Sequence, residues 1–178
     1  METLFKKISE EENGDYHVIY EKSYQPYLLL PLQMKENGLQ IKSLQLKIPY
    51  DNQIIEIEYS FSKTHVGVLF SQLKDGFSIP QFQISNRSHY KRLFNKKLNI
   101  LKINCEDPKF RKYLTSKLDE LQIEHIAREV KFESQITGRI NNDQYEIKTS
   151  FHLAFSEKKT VLRPMINLYK CLIDYKAS

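Results

Sequence analysis

In the segment IIEIEYSF, residues 54–61, Ile55, Ile57, Tyr59 and Phe61 fall at every second position, with Glu56 and Glu58 between them. A two-residue period puts one set of side chains on each face of a strand, so this stretch reads as a β-strand with one buried and one wet face. The same alternation recurs through much of the chain. DYHVIYEKSY (15–24) places Tyr16, Val18 and Tyr20 together, and THVGVLFSQL (64–73) adds a further strand. Residues 129–140 align Phe132, Ile136 and Ile140, and residues 144–155 align Tyr145, Ile147, Phe151 and Phe155, with Asn141-Asn142-Asp143 between the two. Short loops between successive strands require antiparallel pairing. With 11 Tyr and 10 Phe in 178 residues, the composition favours strands.

Two irregularities locate breaks in the pattern. In LQIKSLQLKI (39–48) the apolar parity passes from Leu39 and Ile41 to Leu44, Leu46 and Ile48. An alternating strand changes parity only by taking in an extra residue, so a bulge is expected at Lys42-Ser43. In GFSIPQFQIS (76–85) the parity of Phe77 and Ile79 gives way after Pro80 to that of Phe82 and Ile84. Proline donates no ladder hydrogen bond, which predicts a separate short edge strand over 81–85 with Pro80 at its start. Pro49 to Gln53 supplies the turn before the strand at 54.

Helical spacing appears in four places. Leu4, Phe5 and Ile8 share a face ahead of Asn13-Gly14, and SHYKRLFNK (88–96) turns Tyr90, Leu93 and Phe94 inward. LNILKIN (98–104) then reads as a strand. Asp107-Pro108 has an N-cap residue followed by proline at the first helical position, opening a helix to about residue 122 with Phe110, Tyr113, Leu114, Leu118 and Leu121 as its stripe. A last helix over about 161–175 buries Leu162, Met165, Ile166, Tyr169, Leu172 and Ile173. These elements describe a single α+β domain over 1–178. Its antiparallel sheet has about six to eight strands, with three to four helices including a C-terminal one packed on the sheet. Strands followed by a helix recur over 39–97 and 98–175, in the manner of a pseudo-duplication.

Charge is the strongest functional signal. Arg87, Lys91, Arg92, Lys96, Lys97, Lys102, Lys109, Arg111, Lys112 and Lys117 crowd into residues 87–117 against only Glu106 and Asp107. That segment is +8 in a chain of net charge +5, so the remainder is −3. A solvated polar face is one account of the cluster. The other is an anion-binding surface built by Arg87, Lys91, Arg92, Lys96, Lys97, Lys109, Arg111 and Lys112 for an acidic protein, an anionic membrane or a nucleic acid. Tyr90, Phe94, Phe110 and Tyr113 interleave with the cations as base-stacking platforms do, yet they keep the apolar spacing of their helices.

Catalytic signatures are weak. His17, His65, His89, His125 and His152 are scattered without metal-ligand spacing, and no glycine-rich loop precedes a helix, so no metal or cofactor is expected. Cys105 and Cys171 are too few for a disulfide framework and fit a reduced, cytoplasmic compartment. Cys105, just ahead of a helix, is open to thiol activation by the helix dipole, which Glu106 and Asp107 oppose. A hydrolase would need a site assembled from distant residues. The start METLFKKISEEENG has no apolar core of a signal peptide, and YLLLPL (27–32) is too short to span a bilayer.

From Tyr59 onward the order of features is Tyr59-Ser60-Phe61, Thr64-His65-Val66-Gly67-Val68, GFSIPQFQIS, a helix, Asp107-Pro108-x-Phe110, then two strands and a helix. This order, over about residues 39–175, resembles the soluble domain of an uncharacterised class of bacterial membrane-associated proteins. Here Thr-His stands for that class's His-Thr and Ile-Pro for its Leu-Pro, and its membrane helices are missing. The resemblance implies a bacterial source, an α+β fold and work near the inner leaflet. It carries over no catalytic residues.

Overall fold

The computed structural model describes residues 1–22, 39–61, 65–73, 79–87, 99–130, 132–153 and 158–175. The helix expected over 88–96, with Lys91, Arg92, Lys96 and Lys97, lies outside them, as do Phe77 and Phe155. In chain order the elements are α1 (Glu2–Glu12), β1 (Asp15–Lys22), β2 (Leu39–Tyr50), β3 (Gln53–Ser60), β4 (Val66–Leu73), β5 (Phe82–Asn86), β6 (Leu101–Cys105), α2 (Pro108–Glu120), α3 (Ile123–Glu129), β7 (Ser134–Asn141), β8 (Gln144–His152) and α4 (Lys158–Ile173). The eight strands make one antiparallel sheet in the order β1-β2-β3-β4-β8-β7-β5-β6. The domain is α+β. No helix among the described residues is long and apolar enough to cross a membrane.

Local chemistry sets the turns. Asp51 and Asn52, at φ 44° and 60°, join β2 to β3, and Asn142 and Asp143, at 48° and 60°, join β7 to β8. Consecutive left-handed residues make the two-residue hairpin turn whose twist suits the flanking strands, and Asn and Asp tolerate it. The first turn is therefore tighter than the sequence suggests. Pro49 lies inside β2, paired with Ile54. The expected bulge is present: Ser43 pairs with Ile19 and Ile41 with Tyr20, leaving Lys42 as the extra residue.

The described helices α1, α2 and α4 cover the same face of the sheet, and α3 packs against α2 and α4. Phe5 of α1 packs edge-on against Tyr59 at 5.0 Å. The Tyr169 hydroxyl of α4 donates to the Leu69 carbonyl at 2.8 Å and lies 3.1 Å from Thr149 Oγ1. Phe110 of α2 meets Phe82 at 5.6 Å. The register puts Tyr59, Leu69, Thr149, Ile136 and Phe82 on one side, and there Leu44, Leu46, Ile55, Ile57 and Ile147 are also buried. Ion pairs tie the outer helices together: Arg163 of α4 bonds Glu11, and Lys170 reaches Glu12 at 2.6 Å. The opposite face carries Glu56, Glu58, Lys148, Ser150, Thr137, Gln83 and Asn104, and no described helix covers it.

Two expectations need correcting. The strand after Pro80 is not an edge strand, because β5 lies between β7 and β6 and bonds to both. Pro80 does stand just before the strand, where its missing N–H costs no ladder bond, and its carbonyl accepts the Tyr145 hydroxyl at 2.8 Å. The strand expected from 129 starts instead at Ser134, after the short helix α3. Gln122, at φ 57°, breaks α2 from α3.

Candidate functional site

Among the described strands the edge at this end of the sheet is β6, which pairs with β5 alone. Its orientation follows from one bond, Arg87 N–H to the Ile100 carbonyl at 2.7 Å. In an antiparallel ladder inward-bonding residues alternate, so Lys102 and Asn104 bond to β5. Leu101, Ile103 and Cys105 then aim their N–H and C=O groups away from the sheet. Charged side chains occupy both ends of this edge. The Glu124 carboxylate accepts from the Ile100 N–H and, at 3.0 Å, from the Leu101 N–H. Arg111 gives Nε and a terminal nitrogen to the Cys105 carbonyl at 3.1 and 2.6 Å. Between these caps, the Ile103 N–H and C=O, the Leu101 C=O and the Cys105 N–H have no partner among the described residues.

The Asp-Pro pair fixes α2 beside this edge. Asp107 Oδ1 accepts from the Phe110 N–H at 2.7 Å, which satisfies one of the free donors of the first helical turn. Phe110, Leu114 and Leu118 bury against the sheet, so Arg111 and Thr115 are turned toward β6. Two clefts flank the strand. One, of about 940 Å³, is lined by Gln83, Asn104, Gln135, Thr137, Arg139 and Arg111. The other, of about 170 Å³, lies between β6 and the α2–α3 pair, with Arg87, Ile103, Arg111, Thr115, Leu118 and Glu124 on its walls. Ile103 and Arg111 line both.

The described cations wrap around this edge rather than lying in one plane. Lys102 points from β6 to the uncovered sheet face, Arg111 sits at the edge, and Lys109 and Lys112 stand exposed on α2. Arg87 is half-buried, and its Nε is shielded from water without a hydrogen-bond partner. None of these five has an ion pair among the described residues. Lys117 is neutralised by Glu120 at 2.6 Å, a bond that raises its pKa.

The aromatics expected to interleave with the charges are committed to the core. Phe110 is fully buried, stacks on Tyr113 at 6.0 Å and meets Tyr175 at 4.6 Å. The Tyr113 hydroxyl donates to the Cys171 carbonyl at 2.7 Å. Tyr90 and Phe94 lie outside the described residues. Cys105 is half-buried, and burial pushes its thiol up, only partly offset by hydrogen bonding from the Asp107 backbone. That is the wrong direction for a nucleophile. His17, His65, His125 and His152 are exposed and line neither cleft, and His89 lies outside the described residues.

Glu124 and Ile103 belong to this site but have no motif to mark them. The available signal was Ile123 and Ala127, four apart and both buried, which marks α3 and its first-turn Glu124. Compared with protein-family models, with curated proteins and with solved structures, the chain matches none.

Proposed function

We propose that this protein is a non-catalytic binding domain whose basic corner, Arg87, Lys102, Lys109, Arg111 and Lys112, engages an acidic protein or an anionic lipid surface. One observation carries the reading. These five cations gather around one edge without an ion pair among the described residues; Lys47, Arg163 and Lys170 have carboxylate partners, and Arg139 and Lys148, which have none, lie on other strands. Unmatched cations around one edge raise the local potential, which attracts a polyanion within about 8 Å at physiological salt. The free thiols Cys105 and Cys171 support a cytoplasmic setting, and the family resemblance supports a bacterial source and work beside the inner leaflet.

Single-stranded nucleic acid is the less favoured target, because Phe110 and Tyr113 are taken up by core packing. A hydrolase is less favoured still, with the Cys105 thiol pushed up and no described histidine in either cleft. Retention on immobilised polyglutamate and on phosphatidylserine vesicles, measured against salt, tests the proposal. Binding at low salt that fades as salt rises is expected. No retention on either, or retention indifferent to salt, refutes it. A steeper salt-dependent titration by an oligonucleotide than by either acidic probe favours nucleic acid.

A further inference from the structure

We propose that the outer edge of β6 accepts a strand: an extended, acidic segment of a partner protein pairs its backbone with Ile103 and sends alternate side chains to the two sides of the sheet. This rests on the reading that the basic corner takes an acidic partner, and it states how that partner is held.

The backbone argument comes first. Exposed sheet edges are ordinarily blunted by charge or cover. Here the blunting is confined to the ends, Glu124 on the Leu101 N–H and Arg111 on the Cys105 C=O. What remains is a window of four groups centred on Ile103. An antiparallel strand fits it without disturbing either cap. The residue opposite Ile103 exchanges both of its bonds. The residue opposite Leu101 donates to that carbonyl, and the one opposite Cys105 accepts from that N–H.

The side chains follow from the two-residue period. Residues opposite Leu101, Ile103 and Cys105 share their face, which is the covered side. The central one enters the 170 Å³ cleft, which has room for one side chain and whose walls set Leu101, Ile103 and Leu118 beside Arg111, Thr115 and Asp119. Its neighbours turn to the uncovered side, where one lies opposite Lys102 and the other opposite Asn104. A carboxylate opposite Lys102 makes a cross-strand ion pair. Further acids along the segment meet Arg111, Lys109 and Lys112. The edge therefore selects a segment alternating apolar and acidic residues. Main-chain bonds supply affinity and the alternate pockets supply selectivity, as in other strand-addition complexes. A second copy of this chain would satisfy the same four backbone groups, with Ile103 on the two-fold axis. In that register Lys102 lies opposite Asn104 of the second copy and gains no acid, while the Arg111 end of one edge meets the Glu124 end of the other, so an acidic segment matches Lys102 better than a second copy does.

The test uses the full chain and a fluorescent peptide alternating valine and glutamate. Its partners are the same peptide N-methylated at alternate amides, and a valine–lysine peptide. The expected result is binding of the first, affinity lower by about tenfold or more for the second, and none for the third. The Ile103 and Cys105 amides should become protected from hydrogen exchange when the first binds. Equal binding of the N-methylated peptide overturns strand addition and leaves the acidic-partner reading standing. Failure of both acidic peptides overturns both. A dimer in the protein alone, with the Ile103 amide already protected, assigns the edge to a second copy and overturns the proposal. Ile103→Pro removes the outward donor at an edge position where proline is tolerated, so it should abolish peptide binding and keep the circular dichroism. Undiminished binding by that variant overturns the proposal. If it does not fold, the N-methylated peptide on the wild-type chain decides.

Discussion

Adding one methyl group at Gly138 tests the packing that seats β5 and β6. Gly138 pairs with Phe82 on one side and Ile147 on the other, on the face covered by helices. A Cβ there would overlap the Phe82 ring and the Tyr145 hydroxyl, and φ lies outside the left-handed region, so the demand for glycine is steric. Neither neighbour is free to withdraw. Phe82 is held edge-on against Phe110 at 5.6 Å, and the Tyr145 hydroxyl is bonded to the Pro80 carbonyl at 2.8 Å. Overpacking of this kind costs about 1–3 kcal/mol. Losing the tyrosine bond adds about 1 kcal/mol. The lower entropy of the unfolded alanine chain offsets about 0.4–1 kcal/mol. Gly138→Ala should therefore destabilise by about 1–3 kcal/mol. For a chain of this size that lowers Tm by roughly 3–10 °C. Urea and thermal unfolding followed by circular dichroism measure it. Combining the change with Phe82→Leu should cost less than the sum of the two, because the smaller side chain makes room. A Gly138→Ala protein as stable as wild type would refute the packing argument.

Three further outcomes are expected. Asp107→Ala should cost about 1 kcal/mol in urea unfolding, with Asp107→Asn retaining most of the cap; an unchanged midpoint for the alanine variant would deny the cap its role. Tyr50 is pushed up to about 12, first by its hydrogen bond to Asp174, and Tyr16 to about 12, first by burial, while burial raises Tyr59, Tyr145 and Tyr169 further. Protons are thus held more tightly in the folded state, so this contribution is intact below about pH 10, the ordinary tyrosine value, and is lost as pH climbs through 12 and beyond. Tyrosine absorbance should lag well behind that of the urea-unfolded chain in alkaline titration, and coincident curves would contradict the shifts. Burial pushes both the Cys105 and the Cys171 thiols up, so alkylation near neutral pH should be slower than for a free thiol and accelerate in urea; folded Cys105 reacting at the free-thiol rate would reopen the nucleophile reading.

What was legible in the sequence is what depends on near neighbours. The slipped parity between Ile41 and Leu44 marks the Lys42 bulge, and Asp107-Pro108 marks the start of α2, because each signature is confined to a few residues. Alternation in 54–61 likewise tells which side of β3 is buried. Sheet order is a different matter. Pro80 made the next strand look like an edge, but the β7–β8 hairpin, far later in the chain, inserts between β4 and β5 and leaves β6 outermost. No local pattern encodes that choice. The same gap affected the site. The charge between Arg87 and Lys117 is plain in the sequence, whereas its wrapping around a strand edge depends on β6 being terminal. Helix α3 was hidden by its brevity and by Gln122, a residue type that does not advertise a left-handed break.

Salt elution from immobilised polyglutamate tests most directly whether the corner built by β6 and α2 is where a polyanion binds. The wild-type chain is compared with Lys102→Gln/Lys109→Gln/Lys112→Gln and with Lys6→Gln/Lys7→Gln/Lys159→Gln, which removes the same charge from exposed positions on α1 and α4. The account predicts that the first variant elutes at clearly lower salt while the second stays close to wild type. Elution of both variants at the same salt would show that only net charge matters, and would contradict it.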